Sequence, residues 1–152
     1  MAEFTYNPIQ LVAAGGNVIL NDNIPCPKGY VLHREESGIV ILRGVVNCPC
    51  ATFARYQVTF NGNIAVPTTG TAGSISVSLA IDGEPILTSR AIVTPAAVDE
   101  YFNVTSTAII TVPRGCCFTI SVENTSTSAT PGTTPAPEIN VQNANLTVSR
   151  IS

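Results

Sequence analysis

Residues 74–81 alternate without a fault. Ile75, Val77, Leu79 and Ile81 occupy one set of positions, and Ser74, Ser76, Ser78 and Ala80 the other. A period of two sends successive side chains to opposite faces of an extended chain, so this segment is a strand with one apolar face. Asp82-Gly83 follows at once. Asp-Gly between two apolar runs is the strongest short signal for a tight hairpin.

The same period recurs along the chain. Tyr56, Val58 and Phe60 alternate with Arg55, Gln57 and Thr59 inside residues 53–66, the longest strand candidate. Asn61-Gly62-Asn63 interrupts that run and reads as a bulge or a hairpin turn. Residues 17–20, 30–34 and 39–42 are shorter candidates, the last buried on both faces or, by pattern alone, a helix segment. Its length and flanking Gly favour a strand. Residues 86–88 and 90–93 follow the Asp-Gly turn, and 101–112 alternates again. Pro113-Arg114-Gly115 turns the chain into Phe118, Ile120 and Val122, which alternate with Cys117, Thr119 and Ser121. Residues 124–137 are rich in Ser, Thr and Pro and read as a loop, and residues 139–151 form the last strand.

Composition agrees. There are 16 Val and 15 Ile against 7 Leu, with 18 Thr and a single Lys. β-branched side chains fit a pleated surface and lose rotamer freedom in a helix. Eleven Gly and eleven Pro supply the turns. The chain is therefore all-β. Nine or ten strands at regular spacing in 152 residues make one two-sheet antiparallel jelly-roll sandwich. Residues 1–152 form a single domain, with 1–14 as an N-terminal arm and 124–137 as an added loop.

The order of these segments resembles a known family. Tyr56-Gln57-Val58-Thr59-Phe60 comes first, then a strand ending Ile81-Asp82-Gly83-Glu84. Val112-Pro113-Arg114-Gly115 precedes Phe118-Thr119-Ile120-Ser121-Val122, and an apolar strand closes the chain. This resembles the tumour necrosis factor-like jelly roll, which includes the complement globular head. The nearest look-alikes are the C-terminal domains of collagen-like exosporium glycoproteins and small phage virion proteins of that fold. The resemblance implies that one sheet packs around a threefold axis, and it makes Tyr56, Tyr101 and Phe118 candidates for that interface. No Gly-X-Y stalk precedes the domain, which favours the virion setting over the spore surface.

Charge and motifs exclude several functions. Seven Lys+Arg against ten Asp+Glu leave no basic footprint for nucleic acid. No apolar run reaches the roughly 18 residues that cross a bilayer, and Met1 to Thr5 does not open a signal peptide. Cys48-Pro49-Cys50 with Cys26 and His33 would be the residues for a thiolate metal shell. Structural zinc favours wider spacing than the one intervening residue here, and Cys116-Cys117 have none. A disulfide from Cys26 to Cys48 or Cys50 needs an oxidising setting. The expectation is reduced thiols, some buried as small hydrophobes, with one of Cys116 and Cys117 pointing inward. His33 is the lone histidine. Ser37 and Glu35 lie near it, but no Gly-x-Ser-x-Gly elbow accompanies them, so a structural role is expected. Three Asn-x-Ser/Thr sequons, at Asn103, Asn124 and Asn145, are read as chance.

The expected function is a non-enzymatic structural component of a phage particle, a capsid decoration or tail protein, assembling as a homotrimer. It needs no metal and no cofactor. Its expected partners are copies of itself, other virion or surface-layer proteins and a host-surface carbohydrate, without nucleic acid or membrane. The alternative is a spore-surface or secreted adhesin-type domain that binds a carbohydrate or receptor, with 124–137 as the binding loop.

Overall fold

The computed structural model of the chain describes residues 1–24, 29–34, 36–45, 48–128 and 130–152. Its strands are β1 (Ala2–Tyr6), β2 (Gln10–Val12), β3 (Asp22–Ile24), β4 (Val31–His33), β5 (Val40–Arg43), β6 (Phe53–Ala65), β7 (Ile75–Ile81), β8 (Glu84–Pro85), β9 (Ala91–Val93), β10 (Phe102–Pro113), β11 (Cys117–Asn124) and β12 (Ile139–Arg150). These make two six-stranded antiparallel sheets. The first runs β10-β6-β12-β1-β3, with β2 also on β12, and the second runs β4-β5-β11-β7-β8, with β9 also on β7. The architecture is a jelly-roll sandwich with twelve strands among the described residues rather than nine or ten. The surplus comes from pieces of two or three residues that carry little periodic signal.

The core lies between the sheets and follows the period of two. Tyr56, Val58, Phe60 and Ile64 of β6, with Leu146 and Val148 beside them on β12, face Val77 and Leu79 of β7 and Ile120 and Val122 of β11 within one buried cluster. Burying each such side chain stabilises the fold by about 1.5–3 kcal/mol.

Several segments depart from the sequence reading. Residues 1–14 are not an arm, because β1 and β2 both pair with β12. Phe4 at the centre of β1 is fully buried, which is what draws the segment into the sheet. Residues 17–20 form no strand but a single bridge from Asn17 to Glu123, although Val18 and Leu20 are core residues. Asn61-Gly62-Asn63 makes neither bulge nor hairpin. Pairing with β10 continues straight through, Gly62 opposite Val104. Gly62 faces inward beneath the Phe60 ring, where an added Cβ would lie 2.8 Å from the ring tip. The bulge sits instead on the partner strand, between Gln142 and Asn145, with Asn143 at φ 55°. Residues 87–89 form a 3-10 turn where a strand was expected. In β5 only Val40 and Leu42 are fully buried, so that run is one-sided.

Strand β7 is buried on both faces, including Ser76 and Ser78. A second layer covers the serine side. The Ser89 hydroxyl accepts the Leu79 N–H (3.0 Å), the Ser126 hydroxyl accepts the Ser76 N–H (2.9 Å), and Arg90 Nε donates to Ser76 Oγ (3.0 Å). The Asp82-Gly83 hairpin forms as expected, with φ 51° and 83°, and joins β7 to β8. Asp82 Oδ1 also accepts the Thr119 N–H and hydroxyl, each at 2.9 Å, pinning the turn to β11.

Candidate functional site: a charge-poor sheet face

The outer face of the first sheet carries the other half of the alternation. On β6 it presents Arg55, Gln57, Thr59, Asn61 and Asn63. Register fixes their neighbours on β10: Thr111 beside Arg55, Ile109 beside Gln57, Thr107 beside Thr59, Thr105 beside Asn61 and Asn103 beside Asn63. On the opposite flank β12 places Ser149, Thr147, Asn145 and Gln142 beside Gln57, Thr59, Asn61 and Asn63. Beyond these come Glu3 and Thr5 of β1. On β6, β10 and β12 this face is built from amides, hydroxyls and a few apolar groups, and Arg55 is its one charge.

The amides pair with one another. Asn61 and Asn103 exchange hydrogen bonds, Nδ2 to Oδ1 at 3.2 and 3.1 Å. Asn103 also donates to Asn63 Oδ1 (3.1 Å), and Asn61 to Thr105 Oγ1 (2.9 Å). Asn63 donates to Asn143 Oδ1 at 3.0 Å, and Asn143 donates to Asn7 Oδ1. The positive φ of Asn143, one that Asn tolerates better than most side chains, carries this ladder across the bulge. Thr59 and Thr107 hydroxyls meet at 2.9 Å, and Asn145 donates to the Glu3 carboxylate. Cross-strand pairs of this kind contribute roughly 0.2–1 kcal/mol each. They also hold these side chains in fixed rotamers.

The end of the face away from the ladder sets Arg55 among exposed apolar groups, its guanidinium 4.6 Å over the Phe53 ring. Ile109 is 66% exposed, and Phe53 and Ile151 are exposed as well. Ile24 extends the same face on β3, opposite Glu3. Around the free edge of β10, Leu87 is 70% exposed, with Ile92, Val98 and Phe102 also open. Leu87 and Ile92 belong to the 87–89 turn and β9, which pack against β10.

No protein-family model matches the chain, and no curated protein matches it by sequence. Solved structures do. The Eiger tumour necrosis factor of S. frugiperda superposes with a TM-score of 0.64 over 100% of this chain and 92% of that one, at 11% identity. The globular domain of the zebrafish complement 1qA protein superposes with a TM-score of 0.53 over 99% and 97%, at 12% identity. The fold is the tumour necrosis factor-like jelly roll. At these identities the likeness establishes architecture alone.

Within this jelly roll the three expected interface aromatics do not come together. Tyr56 is fully buried, and its hydroxyl donates to the Arg43 carbonyl across the sandwich, so it is enclosed in the core and not open on the surface. The inward half of the β6 period holds it there. Phe118 packs on the core from the second sheet, opposite Leu42. Tyr101 is half-buried at the start of β10.

The other candidate groups are dispersed. His33 Nε2 donates to the Ser37 carbonyl (3.1 Å), and its ring packs against Phe4, centroids 5.0 Å apart. The Ser37 hydroxyl is occupied by the turn, donating to the Arg34 carbonyl at 2.7 Å and accepting the Ile39 N–H. Serine and histidine thus meet through the wrong oxygen for nucleophilic chemistry, and Glu35 lies outside the described residues. Cys26 does too, which leaves the Cys26 pairing outside the description. Cys48, Cys50, Cys116 and Cys117 are free and all exposed, so none of the described thiols is packed as a buried hydrophobe. Cys116 precedes β11, so strand alternation does not send either of the vicinal pair inward. Among the described residues no three His, Cys, Asp or Glu side chains converge to hold a metal.

Asn124 belongs to β11 and is 1% exposed rather than part of a loop. Its amide donates to the Val12 and Pro137 carbonyls (3.1 and 3.0 Å), and its Oδ1 accepts the Ser126 N–H (3.0 Å). A glycan could not be carried there in the folded chain. Glu123 beside it titrates above the ordinary carboxylate range, first because burial strips its water and then because Glu84 lies close.

The amide ladder escaped the sequence reading because Asn and Thr at outward positions look like ordinary solvated surface. The available signal was the lack of charge at those same positions.

Proposed function

We propose that this chain is a self-assembling structural protein that forms a closed homotrimer through the outer face of the β10-β6-β12-β1-β3 sheet. The observation that carries the reading is the near absence of charge across three adjacent long strands. Solvated sheet faces normally carry Lys and Glu, whereas the centres of interfaces are depleted of them. Threefold assembly joins two different patches of the same subunit. The sheet face supplies one. The apolar side formed by Leu87, Ile92 and Phe102 around the β10 edge supplies the other. Ile109 is the most exposed large apolar residue on the sheet face. The rotamers of the amide ladder are already fixed, so docking costs less side-chain entropy than it would for free surface residues.

The setting we propose is the surface of a particle, a phage virion first and a spore surface second, without enzymatic activity. Light scattering at micromolar concentration tests the assembly: a mass three times 15.9 kDa is expected, and a stable monomer overturns it. Mass spectrometry of purified particles tests the setting. Enrichment in virions supports the first reading, and recovery from spore coats with none in virions supports the second.

A further inference from the structure

Four thiols stand exposed at one end of the sandwich, on two adjoining turns. Cys48 and Cys50 flank Pro49 in a turn closed by the Ala51 N–H on the Cys48 carbonyl (3.3 Å). Cys116 ends a second turn, its N–H donating to the Pro113 carbonyl (3.1 Å), and Cys117 opens β11. Both turns lie on passages between the sheets. The first leads from β5 of the second sheet to β6 of the first, and the other from β10 of the first sheet to β11 of the second. Cysteine is among the most often fully buried residue types. Four exposed on these two passages is a pattern that core packing does not explain.

The backbone holds the two passages together within one chain. β6 and β10 pair in one register from Ile64 opposite Phe102 to Phe53 opposite Pro113. The Arg114 N–H carries that register one step further, onto the Thr52 carbonyl (2.9 Å). Counting on by two residues matches Cys50 with Cys116, each in its own turn. The Arg114 guanidinium crosses to the Pro49 carbonyl, next to Cys50, at 3.2 Å. Beneath them, Gly115 N–H donates to the Val45 carbonyl (3.3 Å) and Gly44 N–H to the Cys116 carbonyl (2.9 Å). The approach is so close that a Cβ on Gly44 would lie 2.1 Å from the Pro113 carbonyl oxygen. A bridge inside either turn would close a small, strained ring, since Cys116 and Cys117 are adjacent and one proline separates Cys48 from Cys50. No metal-ligating trio forms among the described residues. The pairing left to these thiols runs from one turn to the other.

We propose that Cys50 and Cys116 of one chain form a disulfide in an oxidising setting, stapling the two inter-sheet passages to each other. The bridge forms by side-chain rotation and adjustment of two exposed turns, with no strand displaced. It does not rest on the trimer, since both partners belong to the same subunit. A low-molecular-weight disulfide serves as oxidant. One protein thiolate attacks that disulfide, forms a mixed disulfide and releases one small thiolate. The other protein thiolate then attacks the protein sulfur of the mixed disulfide, forms the bridge and releases the second small thiolate. Two protein thiols are oxidised, two small thiols are produced, and the two thiol protons leave to solvent or to the released thiolates. The bridge closes a long loop, running from the start of β6 to the end of β10, and so constrains the unfolded chain strongly.

The test treats an equal mixture of full-length protein of two isotopic compositions with oxidised glutathione. Products are run on non-reducing denaturing gels, and their bridged peptides are sequenced by mass spectrometry. Single chains are expected, each two hydrogens lighter than the reduced form, with Cys50 joined to Cys116 of the same isotope. The oxidised protein should melt roughly 5–15 °C above the reduced one, and added reductant should reverse the rise. Cys50→Ser should abolish the rise and leave the melting temperature of the reduced protein unchanged, because the position is exposed. Mixed-isotope bridges, glutathione adducts alone, or bridges that take Cys26, Cys48 or Cys117 in place of this pair would each overturn the proposal. A Cys50–Cys116 bridge that leaves the melting temperature where it was would overturn the staple. If Cys50→Ser fails to fold, the peptide map and the reversible shift of the wild type decide by themselves.

Discussion

Replacing Asn124 by Ala removes one buried side chain and orphans three backbone groups. The Val12 and Pro137 carbonyls lose their donor, and the Ser126 N–H loses its acceptor. Each buried group left without a partner costs about 1–3 kcal/mol. Carbonyls tolerate the loss better than an N–H, and a water entering the vacated space recovers part of it. The net expectation is about 3–5 kcal/mol. For a domain of this length that is a fall of about 6–20 °C in melting temperature. Asn124 ties the end of β2, both ends of the Ser/Thr/Pro loop and the last residue of β11 to one another, so the damage should be cooperative and visible in the main transition. Differential scanning calorimetry beside Thr134→Ala is the assay. Thr134 bonds only within the exposed loop, and its loss should stay within about 0.5 kcal/mol. A fall of less than about 2 °C for Asn124→Ala, under 1 kcal/mol, would show that the loop ends are not held this way.

Three further outcomes follow. Val77→Asp places a carboxylate in the fully buried core without a partner, a penalty of several kcal/mol, and should yield insoluble protein on a solubility assay. Shortening 128–136 to a turn should leave the melting temperature nearly unchanged, since loop length costs stability slowly, whereas a deletion that includes Ser126 should lower it by removing the clamp on Ser76. Glu123 has its pKa raised on folding, so its contribution to stability is largest below the unfolded value and is lost as pH rises through the folded one. Glu123→Gln should therefore melt higher than wild type at neutral pH, with the difference shrinking in melts taken at acid pH.

The sandwich was readable wherever one face met the core and the other met water. Residues 53–66 and 101–112 lie within two residues of the observed strand ends, and the Asp82-Gly83 hairpin is where the dipeptide put it. Legibility failed where a second layer intervened. Ser76 and Ser78 look like a solvated face, yet Arg90, Ser89 and Ser126 cover them from positions many residues away. It failed again where the identity of an inward residue mattered more than its type. Gly62 looks like a turn because Asn flanks it, but it keeps the strand going by yielding space to Phe60. Tyr56 attracted attention as an aromatic, and its place in the period already sent it inward. The sheet face was hidden for the opposite reason: its residues are individually unremarked, and only register reveals that uncharged side chains lie side by side across three strands.

The most direct test of assembly through that face compares Ile109→Arg with Leu32→Arg by light scattering at equal concentration. Both residues are exposed, one on the outer face of the first sheet and the other on β4 of the second. A new arginine should leave either fold intact, as circular dichroism would report. Wild type and Leu32→Arg should scatter as trimers and Ile109→Arg as a monomer. A trimeric Ile109→Arg, or a wild type already monomeric, would contradict it.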